Sequence, residues 1–190
     1  MDREQIINYL KQHVSPARLK HCLGVERVAL ELGSKFGVTP EQVSPAALLH
    51  DICREYTPDS LLQLAGNFGI VIDDIERAEP LLLHGFVGAE LVRRELKIQD
   101  AHILEAISFH ITGAANLSPL AQLVFVADFV EPGRTFEYVR ELRRLMSHLS
   151  ADQLLLRVYN HTICYVIGQG YLIDRKSIEG RNQLILKGVQ

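Results

Sequence analysis

The chain has 190 residues, enough for one domain or one domain with a short appendage. Hydrophobic residues make up 47%, sufficient for a core, and with a net charge of −3 and a pI of about 6.2 nothing favours broad binding to nucleic acid or to an anionic membrane. No apolar run approaches the ~20 residues that span a bilayer, the opening Met1-Asp2-Arg3-Glu4-Gln5 has no signal-peptide core, and the scattered Cys22, Cys53 and Cys164 fit reduced thiols in a cytoplasmic protein.

Nearly every segment reads as helix. A first helix covers about Arg3 to His13. Ser15-Pro16 supplies an N-cap and a proline at the first helical position, and the helix that follows runs to Phe36 before Gly37. Thr39-Pro40 and Thr57-Pro58 repeat the start signal, for a helix reaching His50 and another ending near Ala65, with a turn at Gly66 to Gly69. Asp73-Asp74 caps a brief helix. Further helices are expected over Pro80–Leu96, Asp100–Ile111, Pro119–Val130, Phe136–His148 and Ala151–Ile167, and the tail from Tyr171 is ambiguous. No alternating strand pattern, repeat or low-complexity stretch appears, so the class is all-α, a single-domain helical bundle over 1–190.

Polar residues interrupt the apolar faces. His50-Asp51 ends the apolar run that begins at Pro45. His21 shares a helical stripe with Val25, Val28 and Leu32; His84 with Leu81, Gly88 and Leu91; His110 with Ile103, Ala106 and Ile107. Asp128 stands inside Leu123–Val130, where aspartate is a poor helix residue and a poor core residue. For Asp128 alone, an ion pair with an arginine and metal ligation are equally good readings. Taken together, four histidines and two aspartates on the inner faces or ends of different helices point to a metal site inside the bundle. His13, His102, His148 and His161 are read as structural or surface residues, and Cys22 and Cys53 as small core residues.

The order His21, His50-Asp51, Asp128 resembles the HD-domain superfamily of metal-dependent phosphohydrolases. The phrases Arg18-Leu19-Lys20-His21, Ala47-Leu48-Leu49-His50-Asp51, His84-Gly85-Phe86-Val87-Gly88, Ser108-Phe109-His110-Ile111-Thr112-Gly113 and Asp128-Phe129-Val130-Glu131-Pro132-Gly133-Arg134 are similar to the YqeK family of bacterial HD proteins, as is the ending Leu172-Ile173-Asp174 with Arg181-Asn182. The resemblance covers nearly the whole chain. It implies an HD-domain bundle with its metal core at about 15–134 and C-terminal helices and tail at 135–190. It also implies symmetrical hydrolysis of diadenosine tetraphosphate to two ADP with an iron-type metal. Arg54 stands where many relatives carry lysine, which keeps the charge but replaces a point charge by a planar fork.

On this reading His21, His50, Asp51 and Asp128 hold the metal, which is iron first, with manganese, cobalt or zinc as alternatives. His84 and His110 either bind a second ion with Asp51 as bridge or donate hydrogen bonds to phosphates around a single ion, and the single ion is favoured. Asp51, His84 and His110 are thus the catalytic candidates. Arg18, Arg54 and Arg134 are candidate phosphate ligands, Thr112-Gly113 is expected to let backbone approach a ligand, and Tyr171-Leu172 to cover the nucleotide. The competing functions are an HD phosphohydrolase for a nucleoside mono- or triphosphate or a guanosine alarmone, a nucleotide-sensing module without turnover, and a purely structural helical protein. A homodimer is compatible with the many apolar faces.

Overall fold

In the computed structural model, which describes residues 1–190, side-chain caps open most of the helices. Asp2 caps α1 (Arg3–His13) and Ser15 caps α2 (Pro16–Phe36), each accepting from an amide of the first turn. Proline alone starts α3 (Pro40–Leu49), Thr57 caps α4 (Pro58–Phe68) and Asp73 caps the short α5 (Asp74–Ala78). A 3-10 turn at Pro80–Leu83 leads into α6 (His84–Glu95). Asp100, Ser118 and Ser150 cap α7 (Ala101–Phe109), α8 (Pro119–Val130) and α10 (Ala151–Gly168), with α9 (Glu137–Leu145) between the last two. Asp174 opens α11 (Arg175–Leu186), which settles the ambiguous tail as helix. The chain is all-α, without strands, and no helix is long and apolar enough to cross a membrane.

The core follows the predicted stripes. Val25, Val28, Ala29 and Leu32 of α2 meet Val43, Ala46 and Ala47 of α3 and Leu120, Leu123, Val124 and Ala127 of α8, all buried. Helix α7 packs between α6 and α8. These four neighbours of the centre, α2, α3, α7 and α8, place His21, His50, His110 and Asp128 around one point.

Several expectations are corrected. Helix α4 continues through Gly66 and stops at Gly69, the residue that takes the left-handed conformation (φ 72°). The helix expected from Pro80 begins as a 3-10 turn, so Leu81 falls off the inner stripe and is 41% exposed. Gly113 has a packing reason of its own. It takes φ 61° against the Tyr159 ring, where a Cβ would collide, and the Tyr159 hydroxyl donates to Ala114 O at 3.1 Å. The Thr112 carbonyl accepts from Ser177 Oγ at 2.8 Å, so this loop anchors α11.

Candidate active site

Three of the site histidines sit at helix ends, and the same local bond orients each. His50 follows the last residue of α3, His110 follows the last residue of α7, and His84 opens α6. Each gives its Nδ1–H to the carbonyl three residues back: His50 to Ala47 O at 2.7 Å, His84 to Leu81 O at 2.5 Å and His110 to Ile107 O at 2.8 Å. Helix ends leave carbonyls open to such bonds, and Leu81 O, in the 3-10 turn, accepts the His84 amide as well. The side-chain bond puts the proton on Nδ1 and leaves the Nε2 lone pair facing the centre. His21 comes from the interior of α2 and turns to a carboxylate: its Nδ1 lies 3.2 Å from Glu131 Oε1.

The Nε2 atoms converge. His21 and His50 approach to 3.3 Å, and His84 and His110 to 3.1 Å. A glycine allows the second approach. A Cβ on Gly85 would lie 2.5 Å from Ser108 O and 2.9 Å from Ile107 O, so only glycine lets the start of α6 rest on the end of α7.

Asp51 lies at the hub and is 4% exposed. Its Oδ2 faces His21 and His50, both at 3.4 Å, and its Oδ1 faces His84 at 3.1 Å and His110 at 3.3 Å. Asp128 Oδ1 is 3.1 Å from His21 Nε2 and 2.9 Å from Arg134 Nη2, so the two readings left open for this residue meet in one carboxylate. Burial opposes charge on both carboxylates, but neighbouring charge outweighs it. The imidazoles around Asp51, and His21 with Arg134 beside Asp128, hold both well below the usual carboxylate range. Burial likewise opposes a charge on His21, yet its hydrogen bonds to Asp128 and Asp51 raise its pKa to about 10. His84 goes the other way, lowered by burial in spite of Asp51.

This donor set fits a divalent transition metal. Facing imidazole lone pairs at 3.1 Å repel unless a cation lies between them, and buried carboxylates need a cation of their own. Two clusters of suitable ligand atoms are present, His21-His50-Asp51 and Asp51-His84-His110, joined by Asp51. Neither contains Cys22 or Cys53, which are buried apolar.

The centre forms one end of a cavity of about 960 Å³, at the upper limit of ordinary ligand cavities. Arg18, Arg54 and Arg134 line it. Arg18 donates to Asp51 Oδ2 at 2.6 Å, and its Nε is a buried polar atom with no partner in the chain. Arg54 makes no ion pair. Tyr171 and Leu172 are not brought to the cavity and are 55% and 51% exposed. The reason is the end of α10, where Gly170 (φ 70°) reverses the chain and Tyr171 N bonds back to Val166 O at 3.1 Å. Glu131 and His161 are among the lining residues to which the sequence assigns no role. Glu131 appears there only as part of a phrase, although a buried glutamate one residue past an aspartate-bearing helix is a signal. The sequence marks His161 as structural, although Val158, His161, Thr162 and Tyr165 share one face of α10 and all line the cavity.

Helix α9 sets the loop after α8. Arg143 Nε donates to Val130 O at 2.7 Å and its Nη2 to Arg134 O at 2.8 Å and to Glu131 O. This loop carries Glu131 to His21 and Arg134 to Asp128.

Comparison with known proteins places this geometry. The family model described as HD domain matches residues 18–133. The chain is 31% identical to the symmetrical bis(5'-nucleosyl)-tetraphosphatase of Bacillus subtilis, covering 88% of this chain and 89% of that one. It is 29% identical to the protein of the same description from Halalkalibacterium halodurans, covering 98% and 99%. Among solved structures, an HD superfamily hydrolase from Clostridium acetobutylicum, described as involved in NAD metabolism, superposes with a TM-score of 0.92 at 33% identity, over 98% of each chain.

Proposed function

The chain belongs to the HD domain family, and from that premise we propose that it hydrolyses diadenosine tetraphosphate symmetrically. Water adds to one inner phosphorus, the bond from that phosphorus to the central bridging oxygen breaks, and both halves leave as ADP. The observation that carries this reading is the set of four imidazole Nε2 atoms and two carboxylates at one end of a cavity lined by three arginines.

His21, His50, Asp51 and Asp128 are the proposed ligands of one metal ion, and Asp51, His84 and His110 of a second. A bound transition metal supplies Lewis-acid polarisation of phosphate oxygens and lowers the pKa of a water toward neutrality. Iron is the first assignment, with manganese, cobalt and zinc as alternatives, because mixed imidazole and carboxylate ligands suit these ions better than magnesium or calcium. The hydrogen bonds of His84 and His110 support two ions over the single ion expected from sequence. With Nδ1–H spent on a carbonyl, Nε2 is an acceptor and has no proton to give to a phosphate. The two oxygens of Asp51, each turned to a different histidine pair, support the same reading.

The arginines bind the phosphate chain. Arg18 is held against Asp51, and a phosphate oxygen would give its buried Nε the acceptor that the chain lacks. Arg54 lines the cavity without an ion pair and is assigned to the leaving ADP, where charge builds as the bridge breaks. Arg134 clamps a phosphate from the Asp128 side. In this reading residues 15–134 supply the metal and phosphate groups, and residues 135–190 wall the space beyond them. A nucleotide substrate and three free cysteines fit a cytoplasmic location.

The test is incubation of protein purified without chelator with diadenosine tetraphosphate, the products being resolved by anion exchange. ADP as sole nucleotide product, lost in Asp128→Ala, is the expected result. AMP plus ATP would place the break at an outer bridge and refute symmetrical cleavage. Absence of turnover with iron, manganese, cobalt and zinc would refute the substrate.

A further inference from the structure

Away from the metal centre the cavity changes character. Helix α8 carries Asp128 at the centre and, on adjoining positions of the same helix, Phe125 and Phe129 into the wall beyond it. Phe136 closes the rim at 40% exposure, and α10 adds His161, Thr162 and Tyr165. The α10 residues that line the cavity, Val158, His161, Thr162, Tyr165 and Val166, include no arginine or lysine. A phosphate has nothing to gain there, whereas an apolar, ring-rich wall with a few polar edges is what a flat heterocycle requires.

His161 is held unusually firmly for a half-buried side chain. Its ring stacks on Tyr138 (centroids 4.3 Å, 20° between planes) and on Phe136 (5.3 Å, 21°), and meets Phe129 near edge-on (5.2 Å, 67°). These contacts fix the ring plane through its faces and leave the nitrogens on its edge. Neither nitrogen has a hydrogen-bond partner within the chain. Burial alone acts on its titration and lowers the pKa, so near neutral pH the ring offers one donor and one acceptor and no charge. A surface histidine needs no such clamp, and a packing histidine would bond its nitrogens to nearby carbonyls, as His50, His84 and His110 do.

We propose that this aromatic end of the cavity seats a nucleobase of the substrate, and that His161 reads the base edge through a hydrogen bond, which makes it a specificity-determining residue. The proposal rests on the dinucleotide reading above. It adds which part of the substrate lies against α10, and it fixes orientation: phosphates toward Asp51 and the arginines, base toward α8 and α10.

The test compares two ligands on the metal-loaded protein by calorimetry, ADP with a base and pyrophosphate without one. His161→Phe keeps the stacked ring and removes the nitrogens. ADP affinity is expected to fall about tenfold, the scale of one hydrogen bond lost in a desolvated site, while pyrophosphate affinity stays within twofold. Phe136→Leu at the rim, which keeps the apolar surface and loses the ring, is expected to weaken ADP alone in the same way. With diadenosine tetraphosphate both variants raise KM and leave kcat nearly unchanged. Unchanged ADP affinity in both variants overturns the proposal, as does equal weakening of ADP and pyrophosphate, which would mean damage to the phosphate end. Wild-type protein that binds ADP no tighter than pyrophosphate overturns it too. Because ADP binding needs no turnover, a selective loss of ADP affinity supports the base seat even if diadenosine tetraphosphate proves not to be cleaved.

Discussion

Replacing Glu131 by glutamine tests whether a residue outside the metal's own ligand set controls it. Glu131 is 5% exposed, and its oxygens serve two neighbours: Oε1 lies 3.2 Å from His21 Nδ1 and Oε2 accepts from Gly133 N at 2.6 Å. Glutamine has one oxygen for these two neighbours. If its NH2 turns to His21, the ring must accept at Nδ1 and carry its proton on Nε2, the atom that the metal needs. If it turns to Gly133, the amide of the loop that presents Arg134 loses its partner. A hydrogen bond to a charged group contributes about 1.5–3 kcal/mol, and loss of a partner behind a metal ligand costs about 10–100-fold in affinity or activity. The two estimates agree, since each 1.4 kcal/mol is about tenfold. The loss falls on the His21 seat alone, because Glu131 touches no other site histidine. Manganese titration of chelator-stripped Glu131→Gln, followed with a competing metallochromic dye, should therefore become biphasic, one phase weakened by about 10–100-fold and one unchanged, with the melting temperature of the metal-free protein checking the fold. A titration superimposable on wild type, with the metal-free fold intact, refutes the reasoning.

The two-seat reading predicts about two ions per chain by metal analysis, one after His84→Ala and none held tightly after Asp51→Ala; two ions retained in the Asp51 variant would remove Asp51 from the bridge. Gly85→Ala places a methyl 2.5 Å from Ser108 O, within the contact of α6 on α7. It should cost about 1–3 kcal/mol in urea unfolding and empty the His84-His110 seat before the His21-His50 seat, whereas unchanged stability and metal content would mean that the helices have slack. Native alkylation should modify the exposed Cys164 and spare Cys22 and Cys53, whose thiols are enclosed, that of Cys53 being pushed up to about 12 by burial. Fast labelling of Cys53 in the folded protein would show that the end of α3 opens readily.

The elements and the inventory of the centre are legible along the chain. Ser15, Thr57, Asp73, Ser118 and Ser150 announce helix starts because capping is local: one side chain meets amides two or three residues on. The burial of His50, Asp51, His84 and His110 was equally readable, because a polar residue on an apolar stripe goes where the stripe goes. Pairing was not readable. That Asp51 turns one oxygen to each histidine pair depends on how α2 and α3 lie against α6 and α7, and Gly85 regulates that approach through atoms more than twenty residues away. The packing of the helices decided that the Nε2 atoms meet, whereas the Nδ1 bonds of His50, His84 and His110 are local, each to a carbonyl three residues back. It also decided that Glu131 orients His21, that His161 faces the cavity and that Tyr171 turns away from it. A periodicity assigns a residue to a face of its helix, but the atom it meets there is set by the packing of another helix, and the chemistry of this site lies in those meetings.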